Sequence, residues 1–294
     1  MRILLFGKDG QLGRELQNSI SSIAELVALN KNDADLTDHD QIVHHIQQNK
    51  PSLILNAAAF TAVDQAEAEP YAARLVNGIA PGIIAFEAKK IGAHFIHFST
   101  DYVFDGRKTG AYTEQDSPNP INMYGKSKLV GEQSIQDVGG SYLIFRTSWL
   151  YDRGSESFVG KVLHWARNQP IMKIVYDQSG SPTWSRTLAE LTAKVLTNGG
   201  EDFNHYLRQR RGIYHLAGKG QVSRYDWALA IMANDPKSEE HVVKNVIPVR
   251  SKEFKTAARR PPNSALNCAL FERVFGLEIP EWSTTLKMAM SATV

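Results

Sequence analysis

Tyr124 and Lys128 stand four residues apart in the run Tyr-Gly-Lys-Ser-Lys. On a helix, positions i and i+4 share a face, so a phenol and an ammonium at this spacing can address one ligand. A free phenol, with a pKa of about 10, is a weak acid–base group at neutral pH. A neighbouring ammonium favours the phenolate, and the spacing therefore predicts that Lys128 draws the Tyr124 pKa down. The pattern alone is common, and its ordinary reading is a surface helix with a solvated lysine. Lys126, between the two, fits that reading and is expected to face solvent. What raises the pair above the ordinary is Ser99-Thr100, at the end of the apolar run 95–98. If that run is a buried strand, a hydroxyl there sits at the carboxyl edge of a sheet and can hold the oxygen that Tyr124 protonates.

A second pattern opens the chain. The apolar run 3–6 leads directly into Gly7-Lys-Asp-Gly10-Gln11-Leu12-Gly13, which enters a helical pattern. Glycines at G-x-x-G-x-x-G spacing let the backbone turn sharply and let a pyrophosphate approach the first N–H groups of the helix, and the third permits close helix–strand packing. Strand, glycine loop and helix in that order predict a dinucleotide site; the alternative is a structural turn. An acidic residue at the end of the second strand would grip the adenosine ribose of NAD. Here that position reads Asn30-Lys31-Asn32, with no carboxylate before Asp33. A 2′-phosphate is therefore not repelled, and Lys31 or Arg14 could pair with it. The expected cofactor is NADPH or NADH.

These residues need a frame that brings them together. Short apolar runs at 3–6, 26–29, 53–59, 95–98 and 142–145 alternate with helical patterns at 11–21, 38–48, 71–91 and 122–136. Such alternation predicts an α/β fold, a doubly wound parallel sheet covered on both faces. Pro70 suits the first turn of its helix, and Asn122 the N-cap of the helix bearing Tyr124. Residues 1–148 form the expected dinucleotide-binding domain. Residues 149–294 form a smaller C-terminal substrate-binding lobe, with some segments returning to the sheet. In that second half the patterns predict helices at 156–167, 186–196 and 225–232 and strands at 171–176 and 213–216. The polar stretch 199–212, with Arg208, Arg210 and Arg211, is expected to be an exposed, solvated loop. Pro261-Pro262 rules out regular helix there, and no repeat or low-complexity tract is present.

Composition narrows the classes. A chain of 294 residues with 43% apolar and 22% charged residues has an ordinary globular balance. A net charge of +2 favours no polyanionic partner, so no nucleic acid is expected. The single cysteine, Cys268, permits neither an internal disulfide nor a Cys-based zinc site, and is expected to be a buried, inert thiol. The N-terminal run lacks a secretory leader pattern, and no apolar stretch approaches eighteen residues, so a cytoplasmic protein without membrane contact is expected.

With the glycine loop, Asn56-Ala-Ala-Ala59, Ser99-Thr100 and Tyr124/Lys128 in place, the sequence resembles the extended short-chain dehydrogenase/reductases. Within them it is similar to the dTDP-4-dehydrorhamnose reductases. The resemblance rests on Thr61-Ala-Val-Asp-Gln-Ala-Glu67, Ser99-Thr-Asp-Tyr-Val-Phe-Asp-Gly106, Phe145-Arg-Thr-Ser-Trp-Leu-Tyr151, Asp177-Gln-Ser-Gly-Ser-Pro-Thr183 and Arg260-Pro-Pro-Asn-Ser-Ala-Leu-Asn267. It implies a Rossmann fold and reduction of the C4 ketone of a dTDP-linked 6-deoxyhexose, a small sugar-nucleotide substrate. It implies that Gly7, Gly10, Gln11, Leu12, Gly13 and Asn30 surround the cofactor phosphates and ribose, with Asp35 and Leu36 at the adenine. Ala59, Phe60, Thr61 and Phe98 would line the nicotinamide side. Lys128 would bind the nicotinamide ribose and tune Tyr124. Val63, Thr100, Asp101, Tyr124 and Trp149 would contact the sugar nucleotide, against the plainer readings of Trp149 as a core aromatic and Asp101 as a cap. The resemblance also implies a homodimer linked by magnesium through an acidic residue near the C-terminus. Nothing after Glu281 is acidic, so metal and dimer both stay open, and no metal ligand is assigned.

Two rivals carry different functions. Related sugar-nucleotide 4,6-dehydratases follow the threonine with Asp-Glu, whereas this chain has Asp101-Tyr102. A non-catalytic NADP-binding regulatory subunit, like the beta subunit of methionine adenosyltransferase, would not need Thr100, Tyr124 and Lys128 together.

Overall fold

The computed structural model describes residues 1–154 and 156–291. Its centre is a parallel sheet of β1 (Arg2–Phe6), β2 (Glu25–Leu29), β3 (Leu53–Asn56), β4 (His94–Thr100), β5 (Ser141–Thr147) and β6 (Gly212–His215), in the order β6-β5-β4-β3-β1-β2. Every residue of β3 and β4 is buried, because helices cover both faces. On one face lie Gln11–Ile20, Ser185–Thr197, Phe203–Gln209 and Ala269–Phe275. On the other lie His39–Asn49, Ala80–Ile91 and Met123–Val138. Strand order reverses between β1 and β3, which opens a crevice at their carboxyl ends. The sheet is doubly wound, as the alternation predicts.

Local signals start the functional helices where the sequence puts them. Pro70 occupies the first turn of Pro70–Arg74. The Asn122 side chain accepts a 2.8 Å hydrogen bond from the Gly125 N–H and so caps Met123–Val138. The predicted third strand stops at Asn56 instead of 59, because the Asn56 side chain takes the Ala58 N–H at 3.1 Å and turns the chain out of the sheet. The predicted helix 71–91 carries a π turn at Leu75–Ile79, between Pro70–Arg74 and Ala80–Ile91.

A second apolar centre gathers Tyr151, Val159, Met172, Trp184, Trp227 and Leu286. Its strand Ile171–Val175 pairs in parallel with Asn245–Val249. That strand and the helices Val63–Ala68, Ala269–Phe275 and Trp282–Ser291 add to the predicted elements. The predicted loop 199–212 is corrected: Phe203–Gln209 is a helix. Phe203, Tyr206 and Leu207 share one helical face, Leu207 is buried, and Tyr206 packs against Phe275. Just after it, Arg210 and Arg211 lie on aromatic faces, 3.9 Å from the Tyr206 centroid and 5.8 Å from that of Tyr142. Among the described residues, no helix is long and apolar enough to cross a membrane. Cys268 is buried, and burial pushes its thiol up to about 12.

Candidate active site

The carboxyl ends of β1, β3, β4 and β5 enclose a cleft of about 960 Å³. Every candidate residue lines it except Gly13. Gly13 is buried, and a Cβ there would come within 2.0 Å of the Gly7 carbonyl, so it serves close packing of helix on loop. Gly7 has φ +90, and a Cβ on it would meet the Ala58 nitrogen at 2.5 Å. The Gly7 and Lys8 N–H groups hold the loop to the Leu29 carbonyl at 2.8 and 3.0 Å. Helix Gln11–Ile20 then starts with no side-chain cap, which leaves its first N–H groups facing the cleft. An uncapped ten-residue helix behind a loop with glycine at positions 7 and 10 suits a pyrophosphate. At the opposite wall the buried Thr147 hydroxyl has no hydrogen-bond partner among the described residues and lines the same cleft. A dinucleotide fits this donor set.

Tyr124 and Lys128 face the cleft from the first two turns of Met123–Val138, while Lys126 is exposed. Tyr124 is half-buried, and its phenol lies beside the Thr100 side chain on the cleft wall. The expected effect of the lysine is corrected. Burial pushes the Tyr124 phenol up, and the neighbouring Thr100 side chain only partly opposes this. The Lys128 amine is turned away from the phenol. Only 1% exposed, it must find acceptors in the interior, and it donates to the Phe98 carbonyl at 2.6 Å and lies 3.1 Å from His97 Nε2. Burial lowers Lys128 to about 8. Ser99 and Thr100 also divide. Ser99 points into the core and donates to Glu132 at 2.5 Å, where Glu132 grips Arg146 at 2.6 and 2.9 Å. Thr100 alone presents its hydroxyl at the cleft, also donating to Asp101 at 3.0 Å.

Asp101 is 3% exposed and accepts from Ser148 at 2.8 Å as well as from Thr100. Burial raises its carboxyl, those hydrogen bonds oppose the rise, and the side chain fixes the turn that presents Thr100. Trp149 has φ +42, which is rare for a bulky residue. Its indole stacks on Trp227 at 5.4 Å between centroids, and the Arg224 guanidinium lies 4.0 Å from its centroid. Gly180 makes room, because a Cβ there would meet Trp149 Cε2 at 2.3 Å. Val63 begins the short helix Val63–Ala68 on the same wall.

At the adenine end, Asn30 accepts from the Asn32 and Asp33 N–H groups at 3.0 Å and donates to Asp9 at 2.9 Å. The Asp33 carboxylate is held by Lys8 at 2.6 Å, and that of Asp35 by Thr37 at 2.9 Å. Arg14 pairs with Asp152 at 2.9 Å, whereas Lys31 is exposed at the cleft edge.

Sequence reasoning missed Asn77 and Arg224. Asn77 sits in the π turn, accepts from the Phe60 N–H at 2.8 Å and donates to the Phe60 carbonyl at 3.0 Å. It thus fixes the backbone that presents Ala59, Phe60 and Thr61. An interrupted helix often marks such a site, but a π turn leaves no composition signal. Arg224 reaches the cleft from a helix far along the chain and carries no motif.

Known proteins match this chain over nearly its whole length. A dTDP-4-dehydrorhamnose reductase of Burkholderia thailandensis is 38% identical, the match covering 96% of this chain and 95% of that one. The crystal structure of a dTDP-4-dehydrorhamnose reductase ortholog from Clostridium acetobutylicum matches with a TM-score of 0.90 and 34% identity over 99% of this chain and 98% of that one. The structure of the Bacillus anthracis dTDP-4-dehydrorhamnose reductase in complex with NADP matches with a TM-score of 0.87 and 32% identity over 98% and 97%. The model of the RmlD substrate binding domain matches residues 1–294, and the chain belongs to that family.

Proposed function

We propose that this chain reduces the C4 ketone of dTDP-4-dehydro-L-rhamnose to dTDP-L-rhamnose with NADPH or NADH. The observation that carries this reading is the placing of Tyr124 beside Thr100 at the carboxyl edge of β4, within a cleft that also contains the glycine loop. The names of the relatives supply the sugar, and the NADP in the Bacillus anthracis complex supplies the cofactor class.

A nicotinamide held by these residues would supply a hydride to the carbonyl carbon. Tyr124 gives its proton to the same carbonyl's oxygen, and the ketone leaves as a secondary alcohol. A raised phenol pKa suits a group that must hold its proton until negative charge develops on that oxygen. Thr100 turns its single hydroxyl proton from Asp101 to the oxygen as it becomes an alkoxide, where a donor counts most. Trp149, with Arg224 on its face, supplies a flat wall for the sugar nucleotide. Val63 and the turn fixed by Asp101 border the same space. Gly7, Gly10, Gln11 and Leu12 take the pyrophosphate, and Asn30, Asp35 and Leu36 the adenosine end. Ala59, Phe60, Thr61 and Phe98 hold the nicotinamide side, and Lys128 the ribose next to it.

The test is NADPH oxidation on addition of dTDP-4-dehydro-L-rhamnose, with dTDP-L-rhamnose identified as product. Tight NADPH binding without turnover would overturn the reading and favour a regulatory subunit.

A further inference from the structure

Among the described residues, one cation in the cleft has no carboxylate partner. Arg224 opens the helix Arg224–Ala233, and its place there is fixed twice. The Ser223 side chain caps that helix by accepting from the Asp226 N–H at 3.0 Å, and the Arg224 N–H donates to the Gln178 carbonyl at 2.9 Å. The half-buried side chain lines the cleft. Its guanidinium lies 4.0 Å from the Trp149 centroid, 4.7 Å from that of Phe158 and 5.7 Å from that of Trp227. A guanidinium stays charged, and withdrawing it from water without an anion is costly.

Five carboxylates line the cleft among the described residues, and none pairs with Arg224. Asp9 accepts from Asn30 at 2.9 Å and Asp35 from Thr37 at 2.9 Å, both at the adenosine end. Asp152 pairs with Arg14 at 2.9 Å, and the exposed Glu156 lies 4.0 Å from Lys161. Asp101 acts on Arg224 through space, but its oxygens accept from Thr100 at 3.0 Å and Ser148 at 2.8 Å. The neighbouring cation, Arg260, already holds Asp64 at 2.5 Å. Burial accordingly lowers Arg224 below the usual arginine value. Aromatic rings hold a guanidinium by its face, which leaves its N–H edge for a ligand.

We propose that Arg224 is the counter-ion of the substrate's diphosphate, and that it sets the preference for a nucleoside diphosphate over an uncharged nucleoside. The identity of the substrate rests on the reductase reading; the anion site itself does not depend on turnover. Its position suits the task. Tyr102 lies beside Arg224, and the Tyr102 ring is 5.9 Å from that of Tyr124. The guanidinium therefore stands one side chain away from the proton donor. A hexose with its C4 at Tyr124 carries the diphosphate on C1, across the ring. The cofactor's own pyrophosphate is taken by the glycine loop, so this second cationic point is left for the sugar nucleotide. Two in-plane N–H groups can hold two phosphate oxygens at once, which a lysine cannot do.

The experiment titrates the NADPH-loaded, full-length protein with dTDP and with thymidine, for the parent, Arg224→Gln and Arg224→Lys. Calorimetry gives the dTDP Kd and saturation-transfer NMR the thymidine Kd. In Arg224→Gln the dTDP Kd should rise by roughly 10- to 10²-fold, the worth of a charged hydrogen-bonded contact. The thymidine and NADPH Kd values should stay within about twofold of the parent's. Arg224→Lys keeps the charge without the fork, so its dTDP Kd should fall between the two. An unmoved dTDP Kd in folded Arg224→Gln overturns the proposal. Equal weakening of dTDP and thymidine also overturns it, because that effect runs through a displaced Trp149 and not through charge. If Arg224→Gln does not fold, Arg224→Lys carries the same test: it must weaken dTDP more than thymidine. An enzyme that reduces the keto-sugar but binds dTDP equally well without Arg224 refutes this proposal alone. One that binds dTDP through Arg224 and never turns over refutes the reductase reading alone.

Discussion

Gly180→Ala tests the role of Trp149 without touching Trp149. The Gly180 Cβ position lies 2.3 Å from Trp149 Cε2, and carbon atoms pack at about 3.5 Å or more, so the indole must retreat by about 1 Å. Trp227 stacks on it at 5.4 Å and Arg224 lies at 4.0 Å, so the ring cannot move without giving up those contacts. Gly180 sits in the short strand Ser179–Gly180 with φ outside the left-handed region, and alanine fits that backbone. A displacement of this size in a substrate-positioning group can cost on the order of 10²-fold. The expected outcome is a fall of on the order of 10²-fold in kcat/KM for the sugar nucleotide, mostly in KM, with the NADPH Kd unchanged. Steady-state kinetics with both substrates varied gives the first quantity, and a fluorescence titration the second. Trp149→Ala should cost a similar factor, and the double variant no more than either single one. A Gly180→Ala enzyme whose KM stays within twofold of the parent would refute the placement of the sugar against Trp149.

Tyr124→Phe should keep cofactor binding and lose roughly 10²–10⁴-fold in kcat, measured by NADPH oxidation, because one positioned proton donor is removed; parental kcat would take Tyr124 out of the mechanism. NADPH should serve at least as well as NADH in kcat/KM, because the second strand ends in Asn30-Lys31-Asn32 and the Asp33 carboxylate that follows is neutralised by Lys8; an NADH preference above about tenfold would contradict this. Burial holds His215 at about 3, below its unfolded value near 6.5, so the unfolded chain binds the extra proton and stability falls as pH drops below about 6.5. The His215 share between pH 6.5 and pH 5 is about 1.6 kcal/mol, and urea melts of a folded His215→Asn variant should show that much less acid destabilisation than the parent.

The sheet was legible because a strand buried on both faces leaves a short, continuous apolar run, as β1, β3 and β5 do, while in β4 only His97 interrupts the run 95–98. The glycine loop and the Tyr124/Lys128 spacing were legible because both obey local geometry. The helix Phe203–Gln209 was not, since three apolar residues among arginines resemble a loop until Phe275 packs on them. Contacts between distant segments were the main loss. Asn77 acts through Phe60, Gly180 through Trp149, and Arg224 arrives on a separate helix. The lysine's effect on the phenol was misjudged for a related reason. Spacing puts Lys128 on the same helix face, but only the fold reveals that the Phe98 carbonyl and His97 take its amine.

The most direct measurement of the central claim follows one hydrogen atom. The purified protein is mixed with dTDP-4-dehydro-L-rhamnose and NADPH deuterated at the transferable position of nicotinamide C4, and the sugar product is read by NMR. The account predicts dTDP-L-rhamnose with deuterium at C4 of the sugar, formed by the parent enzyme and lost with Tyr124→Phe. Unreacted ketone, or a product without deuterium at C4, would contradict it.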